Sequence, residues 1–190
     1  MKIYELLEII EEKPAMYMGK KSITCLDVFI HGCLMALEFN GIEKENPPFG
    51  HFTNWVARKY RHKYPLGQPT TGWSNIILKR TKDETKAVDE FYKLLKVFKK
   101  RIPVEKKQVA LNSEHKPTGF SRFFMNGKEL PVPIPKMMKI VQYIPDKGFY
   151  IYYVEQDGKR SSDQYFETEQ AAMEKAYKEF GVKEEEWVSV

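Results

Sequence analysis

Apolar residues recur at helical spacing through the first hundred positions, and a few Pro and Gly sites interrupt them. Ile3, Leu6, Leu7 and Ile10 form one stripe, interleaved with Glu5, Glu8, Glu11 and Glu12, and Pro14 ends that helix. A second run starts at Ser22 or Thr24, either a good N-cap. It carries Ile23, Leu26, Ile30, Cys33, Leu34 and Leu37 to a stop at Asn40-Gly41. Val28, Phe29 and Phe39 make it apolar almost all round, which predicts a helix central to the core. Phe49, Phe52, Trp55 and Val56 predict a short third helix after Pro47-Pro48, trailing into Arg58-Lys59-Tyr60-Arg61-His62-Lys63. Gly72 to Leu78 fits helix better than strand, because Trp73, Ile76 and Ile77 sit at i, i+3, i+4. In the last of these helices Thr81 and Glu84 match the S/T-x-x-E capping box. Ala87, Val88, Phe91, Leu94, Leu95 and Phe98 form its apolar stripe, with Lys82, Lys86, Lys93 and Lys100 on the other side.

The pattern changes after residue 101. Pro103, Pro117, Pro131, Pro133 and Pro135 exclude a long helix over 102–135. Phe120 to Met125, Asn126-Gly127 and Lys128 to Val132 read as a hairpin with a type I′ turn. Strands follow over Lys139 to Ile144, Phe149 to Glu155 and Ser162 to Phe166, then a helix capped by Thr168 and closed by Gly181. Trp187-Val188 either closes the sheet or packs on it. The expected organisation is a helical domain over 1–101, a Pro-rich connector with a hairpin over 102–135, and a small antiparallel unit over 136–190. A helical half followed by an antiparallel sheet with one packed helix is the α+β class.

Composition narrows the class of protein. The chain has 190 residues, 42% hydrophobic and 30% charged, with a mean hydropathy of −0.53, so one domain or two small ones are expected. No apolar run approaches the ~20 residues that span a membrane, and Met1-Lys2-Ile3-Tyr4-Glu5 does not begin a signal peptide. A cytoplasmic protein is the expectation, and two cysteines exclude a disulfide scaffold.

Charge is unevenly spread. The net +5 combines 13 Lys/Arg against four Asp/Glu over 58–101 with eight Asp/Glu against three Lys over 163–190. Solvated faces explain such runs by themselves. A charged partner explains them as well, because clustered charge steers association. The basic pole, with Arg58, Lys59, Arg61, Lys63, Lys93 and Lys100, would meet the phosphates of a nucleic acid. The acidic pole, with Glu184, Glu185 and Glu186, would cover a basic surface on another protein.

Catalytic motifs are missing. No phosphate loop, dinucleotide fingerprint, H-E-x-x-H or C-x-x-C occurs, so no cofactor and no metal are expected. Cys25 and Cys33 lie about 80° apart around a helix and two turns distant, which suits small buried hydrophobes better than a metal site. Among His31, His51, His62 and His115 none has a neighbouring dyad partner, and His51 is the candidate left for an enzyme of unknown chemistry. Lys116 to Lys128 interleaves Lys116, Arg122 and Lys128 with Phe120, Phe123 and Phe124, a stacking pattern for single strands, although packing against the helical half accounts for the aromatics too. The strand Phe149 to Val154 is apolar on both faces, so Tyr150 and Tyr152 either pack inside or form a tyrosine surface for a partner.

Two segments carry a resemblance. Pro14-Ala15-Met16-Tyr17-Met18-Gly19, with Ser22, Leu26, Phe29, Ile30 and Gly32, then Phe52, Trp55-Val56 and Gly72-Trp73, resembles small bacterial proteins with an "RPAMYLG…S…L…FI.GY" pattern. Lys13 and Cys33 stand where that pattern has Arg and Tyr. Asp157-Gly158, Thr168, Ala171-Ala172, Phe180-Gly181-Val182 and Glu186-Trp187 resemble a compact "DG…T…A…A..EFGV..EEW" unit. Many proteins of both kinds look like immunity proteins, which protect a cell against its own secreted toxins. The resemblance implies a non-enzymatic protein that binds a toxin domain. It matches Gly, Trp, Pro and apolar positions, with Met16-Tyr17-Met18 expected to plug between helices. Nucleic-acid binding and catalysis remain the alternatives, and nothing in the residues specifies an oligomeric state.

Overall fold

In a computed structural model the described residues are 2–39, 47–60, 72–125, 127–161 and 164–190. The chain divides into two units, residues 1–100 and 101–190.

The first unit is helical: α1 (Ile3–Glu12), α2 (Pro14–Met18), α3 (Ile23–Phe39), α4 (His51–Tyr60), α5 (Trp73–Thr81) and α6 (Glu84–Lys99). Pro14 ends α1 as expected, yet it also opens α2, since an N-terminal turn needs no N–H from its first residue. Met16 is 74% exposed and Tyr17 is exposed beside it, so the expected plug lies on the surface and only Met18 packs on the core. α3 buries Ile23, Leu26 and Ile30 but leaves Val28, Met35 and Phe39 in solvent, so it is not buried all round.

The junction between α5 and α6 departs from the capping box. Thr81 ends α5 and donates from Oγ1 to the Ile77 carbonyl at 3.2 Å. Asp83 is the N-cap of α6 and accepts from the Lys86 N–H at 2.7 Å. A carboxylate next to the helix outcompetes the hydroxyl two residues earlier. Glu84 is thereby released to the start of α3. It accepts from Ser22 Oγ (2.7 Å), Thr24 Oγ1 (2.7 Å) and the Thr24 N–H (3.1 Å). The N-terminal charge of α3 favours a carboxylate there, and the hydroxyl bonds hold the Glu84 pKa down from its ordinary 4.5 to about 2. A depressed carboxyl stabilises the fold above its ordinary pKa and stops doing so as pH falls through the folded value. Urea unfolding should therefore show the wild type losing more stability than Glu84→Gln between about pH 4.5 and pH 2, with equal pH slopes counting against this anchor.

The second unit is an antiparallel sheet with one helix. Its strands are β1 (Ile102–Ala110), β4 (Met137–Ile144), β5 (Phe149–Val154), β6 (Arg160–Ser161), β7 (Tyr165–Phe166) and β8 (Val188–Ser189), in the order β6-β5-β4-β1-β8 with β7 also on β5. A separate two-stranded hairpin holds β2 (Phe123–Met125) and β3 (Lys128–Leu130), shorter than expected but with the predicted two-residue loop. The expected connector is thus corrected: residues 102–110 are an interior strand of the sheet. Pro103 is tolerated because β8 adjoins β1 only at Lys107 and Gln108, so no strand flanks Pro103 on that edge. Of the strand expected over Ser162 to Phe166, Tyr165–Phe166 is observed as β7, and Ser162 and Asp163 lie outside the described residues.

One sheet face packs Val109, Met138, Ile140 and Ile151 on Ala172, Met173, Ala176 and Phe180 of α7 (Glu169–Phe180). Thr168 caps α7 by accepting from the Ala171 N–H at 3.1 Å, and Gly181 closes it at φ +75°, which suits glycine. Val182 and Trp187 complete that core. The α+β class expected from the element order is the class observed.

Candidate partner-binding surface

The tyrosines expected at a surface are inside. Tyr150 is fully buried and Tyr152 is 8% exposed, in a cluster with Val141, Tyr143 and Tyr165 on the second sheet face. The hydroxyls of Tyr143 and Tyr152 hydrogen-bond at 2.6 Å, and burial pushes the Tyr152 pKa up. The buried Arg101 guanidinium lies 4.8 Å from the Tyr143 ring centre and pairs with Asp146 at 2.6 Å. The Tyr150 and Tyr152 side chains are therefore core, not partner contacts.

The acidic residues divide. Glu184 and Glu185 are exposed on a 3-10 turn, Glu184–Glu186. Glu186 is half-buried, accepting from the Lys183 N–H at 2.7 Å and from His115 Nε2 at 3.1 Å, and these bonds lower its pKa. It acts as an anchor.

The basic face is partly neutralised. Lys96 pairs with Glu11 at 2.7 Å, Lys21 with Asp89 at 2.5 Å, and Lys99 with Glu8. Arg58 is half-buried, and Lys59 stands 5.0 Å over the Trp55 ring. Lys93 and Lys100 are exposed, whereas Arg61 and Lys63 lie outside the described residues. Glu11, Lys21, Asp89, Tyr92, Lys93 and Lys96 border a cleft of about 220 Å³. Burial and the Glu11 charge push the Tyr92 pKa up, which keeps its phenol protonated there.

His51 is buried at 1% exposure in α4. Among the described residues no cluster of His, Cys, Asp and Glu is placed to hold a metal ion, and Cys25 and Cys33 are free thiols. Among the described residues no helix is long and apolar enough to cross a membrane.

A polar network that the sequence did not disclose lies between α7 and residues 111–122. Glu179 is 9% exposed. It accepts from Tyr153 Oη at 2.6 Å, from Lys175 Nζ at 2.7 Å and from Ser121 Oγ. Burial opposes its ionisation, but the bonds from Lys175, Ser121 and Tyr153 outweigh burial and hold the carboxyl below its ordinary range. The Thr118 N–H donates to the Glu179 carbonyl at 2.9 Å. Earlier in the same segment His115 is buried, takes the Asn112 N–H on Nδ1 at 3.1 Å and donates to Glu186. The segment is thus held at both ends by part-buried polar bonds.

What this scaffold presents is aromatic. Phe120 is 56% exposed, with Lys175 Nζ 4.6 Å from its ring centre. Phe124 is 58% exposed, and Phe123 is exposed on the opposite face of the hairpin. Arg122 and Glu129 beside them are exposed and 3.8 Å apart. Packing of these rings into a core is not observed. A free two-stranded ribbon is marginal in water, and aromatic residues, Phe included, are enriched in protein interfaces.

Comparison with protein-family models, with characterised proteins and with solved structures finds no match to this chain.

Proposed function

We propose that this chain is a cytosolic, non-enzymatic protein of the immunity type that neutralises a toxin domain by direct contact. The observation that supports this best is the set of exposed rings, Phe120, Phe123 and Phe124, on a segment anchored by Glu179 and His115. Phe120 would contribute binding energy at little ordering cost, because Thr118 and Ser121 on either side of it are bonded to α7. A blocking protein needs this and no catalytic group. Exposed Glu184 and Glu185 add an acidic rim suited to a basic partner.

Growth protection tests the reading. If the neighbouring gene encodes a toxin domain, a cell expressing that domain should survive with the wild-type chain. Protection should be lost with Phe120→Ser/Phe124→Ser and weakened with Glu184→Lys/Glu185→Lys. Full protection by both variants would remove these surfaces from the account.

The same hairpin favours a second reading, nucleic-acid binding, because Lys116, Arg122 and Lys128 accompany the rings. Titration with single-stranded oligothymidylate separates the two. Phosphate contacts would give an affinity falling steeply with salt, and the immunity reading expects no binding at low salt.

A further inference from the structure

The cleft beside α6 is bordered by a tyrosine whose hydroxyl the protein leaves without a partner. Asp89, Tyr92, Lys93 and Lys96 stand at i, i+3, i+4 and i+7, so one face of α6 forms a wall of the cleft. Glu11 at the end of α1, Pro14 at the start of α2 and Lys21 just before α3 complete the rim. Tyr92 is 5% exposed, and its buried hydroxyl has no hydrogen-bond partner among the described residues. An unpaired buried hydroxyl costs stability. Burial, and then the Glu11 charge, keep the phenol protonated, yet the Glu11 carboxylate accepts from Lys96 at 2.7 Å and not from Tyr92. The phenol is a donor without an acceptor.

The lysines set the sign of the missing acceptor. Lys96 pairs with Glu11 and Lys21 with Asp89, whereas Lys93 is exposed and has no ion pair among the described residues. Three ammonium groups against two carboxylates leave the lining net positive. At about 220 Å³ the cleft is smaller than the ~300–1,000 Å³ of sites for drug-sized ligands, so its occupant is small.

We propose that this cleft binds a small phosphate-bearing ligand, with Lys93 and the Tyr92 hydroxyl as its donors. A phosphate carries three strong acceptor oxygens, so it takes a lysine and a phenol together. Pro14 and Val88 offer an apolar wall to the short carbon part of a phosphate monoester. The hydroxyl is itself covered, so the ligand reaches it by parting the rim pairs. Those pairs are weak, because Lys96 and Asp89 are 65% and 53% exposed. The proposal is independent of toxin binding, which involves residues of the other unit.

Calorimetric titration of the full chain with inorganic phosphate and with glycerol phosphate, at constant ionic strength, tests it. The wild type should bind one of either per chain with a Kd of about 1 mM or lower. Tyr92→Phe should weaken binding about tenfold or more, yet raise the melting temperature of the free protein because the unpaired hydroxyl is gone. Lys93→Ala should also weaken binding, and Glu11→Gln should tighten it by removing an opposing charge. Lys79→Ala makes the same charge change as Lys93→Ala, but on α5 and off the cleft, and should leave binding unchanged. A wild type that binds neither probe would overturn the proposal. So would wild-type affinity in both Tyr92→Phe and Lys93→Ala, or equal losses in Lys93→Ala and Lys79→Ala.

Discussion

Phe52→Ala should destabilise the helical unit by about 3–5 kcal/mol, the range for removing a buried aromatic ring. Phe52 has no exposed surface. Its ring centre lies 5.2 Å from that of Phe98, 5.4 Å from Phe49 and Phe91, 5.9 Å from Trp73 and 6.1 Å from Trp55. One side chain therefore joins rings from α4, α5 and α6, and the cavity left by alanine would be lined by rigid rings that collapse poorly. Phe52→Leu keeps most of the volume and should cost about 1.5 kcal/mol or less beyond the lost ring contacts. Trp55 and Trp73 touch the site, so their fluorescence in urea reports this unit. A midpoint shift no larger for alanine than for leucine would show that the ring cluster does not hold the unit together.

Glu179→Ala should cost the second unit about 3 kcal/mol, because it leaves Lys175 desolvated without its partner and strips acceptors from Tyr153 and Ser121. Glu179→Gln keeps an acceptor and the shape, and should cost less. The native stabilisation belongs to the carboxylate, so it is present above the ordinary carboxylate range and lost as pH falls through the depressed folded value. Trp187 is buried in the core of this unit and reports its unfolding. The Glu179 carboxylate holds Ser121 while its backbone carbonyl holds the Thr118 N–H, so the alanine variant should lose hydrogen-exchange protection around Phe120 and Ser121 at pH 7 and keep the Thr118 bond. Unchanged protection would separate the network from the presentation of Phe120.

Much of this fold is legible in single residues. Ile3, Leu7 and Ile10, or Ala87, Phe91, Leu95 and Phe98, bury on one side because a helix gathers positions three and four apart. Thr168 and Gly181 bound α7 through local bonds, which sequence spacing captures. The misreadings have a common cause, in that distant partners override a local rule. Glu84 fits a capping box three residues from Thr81, but Ser22 and Thr24 claim it from about sixty residues away. β1 reads as a Pro-rich connector because its lysines and Pro103 hide a half-buried strand whose pairing with β4 is a tertiary fact. Tyr150 and Tyr152 suggest a surface until Tyr143 and Tyr165 close over them. Gly148 belongs to that closure, since a Cβ there would come within 2.2 Å of the Tyr165 ring. Glu179 looks like one more residue of an acidic segment. Its neighbours in space, Ser121 and Tyr153, lie far from it in the chain.

The exposed phenylalanines are also a tertiary fact. Their spacing suits a packed hairpin as well as a free one, and only the folded unit shows that these rings stay outside its core. The central claim is that Phe120 and Phe124 bind a protein partner. Calorimetric titration of a toxin domain that this chain protects against, into the wild type and into Phe120→Ser/Phe124→Ser, tests it most directly. The account predicts a wild-type complex and an affinity lower by about a hundredfold in the variant, as the loss of two interface anchors requires. A variant that folds and binds as tightly as the wild type would contradict it.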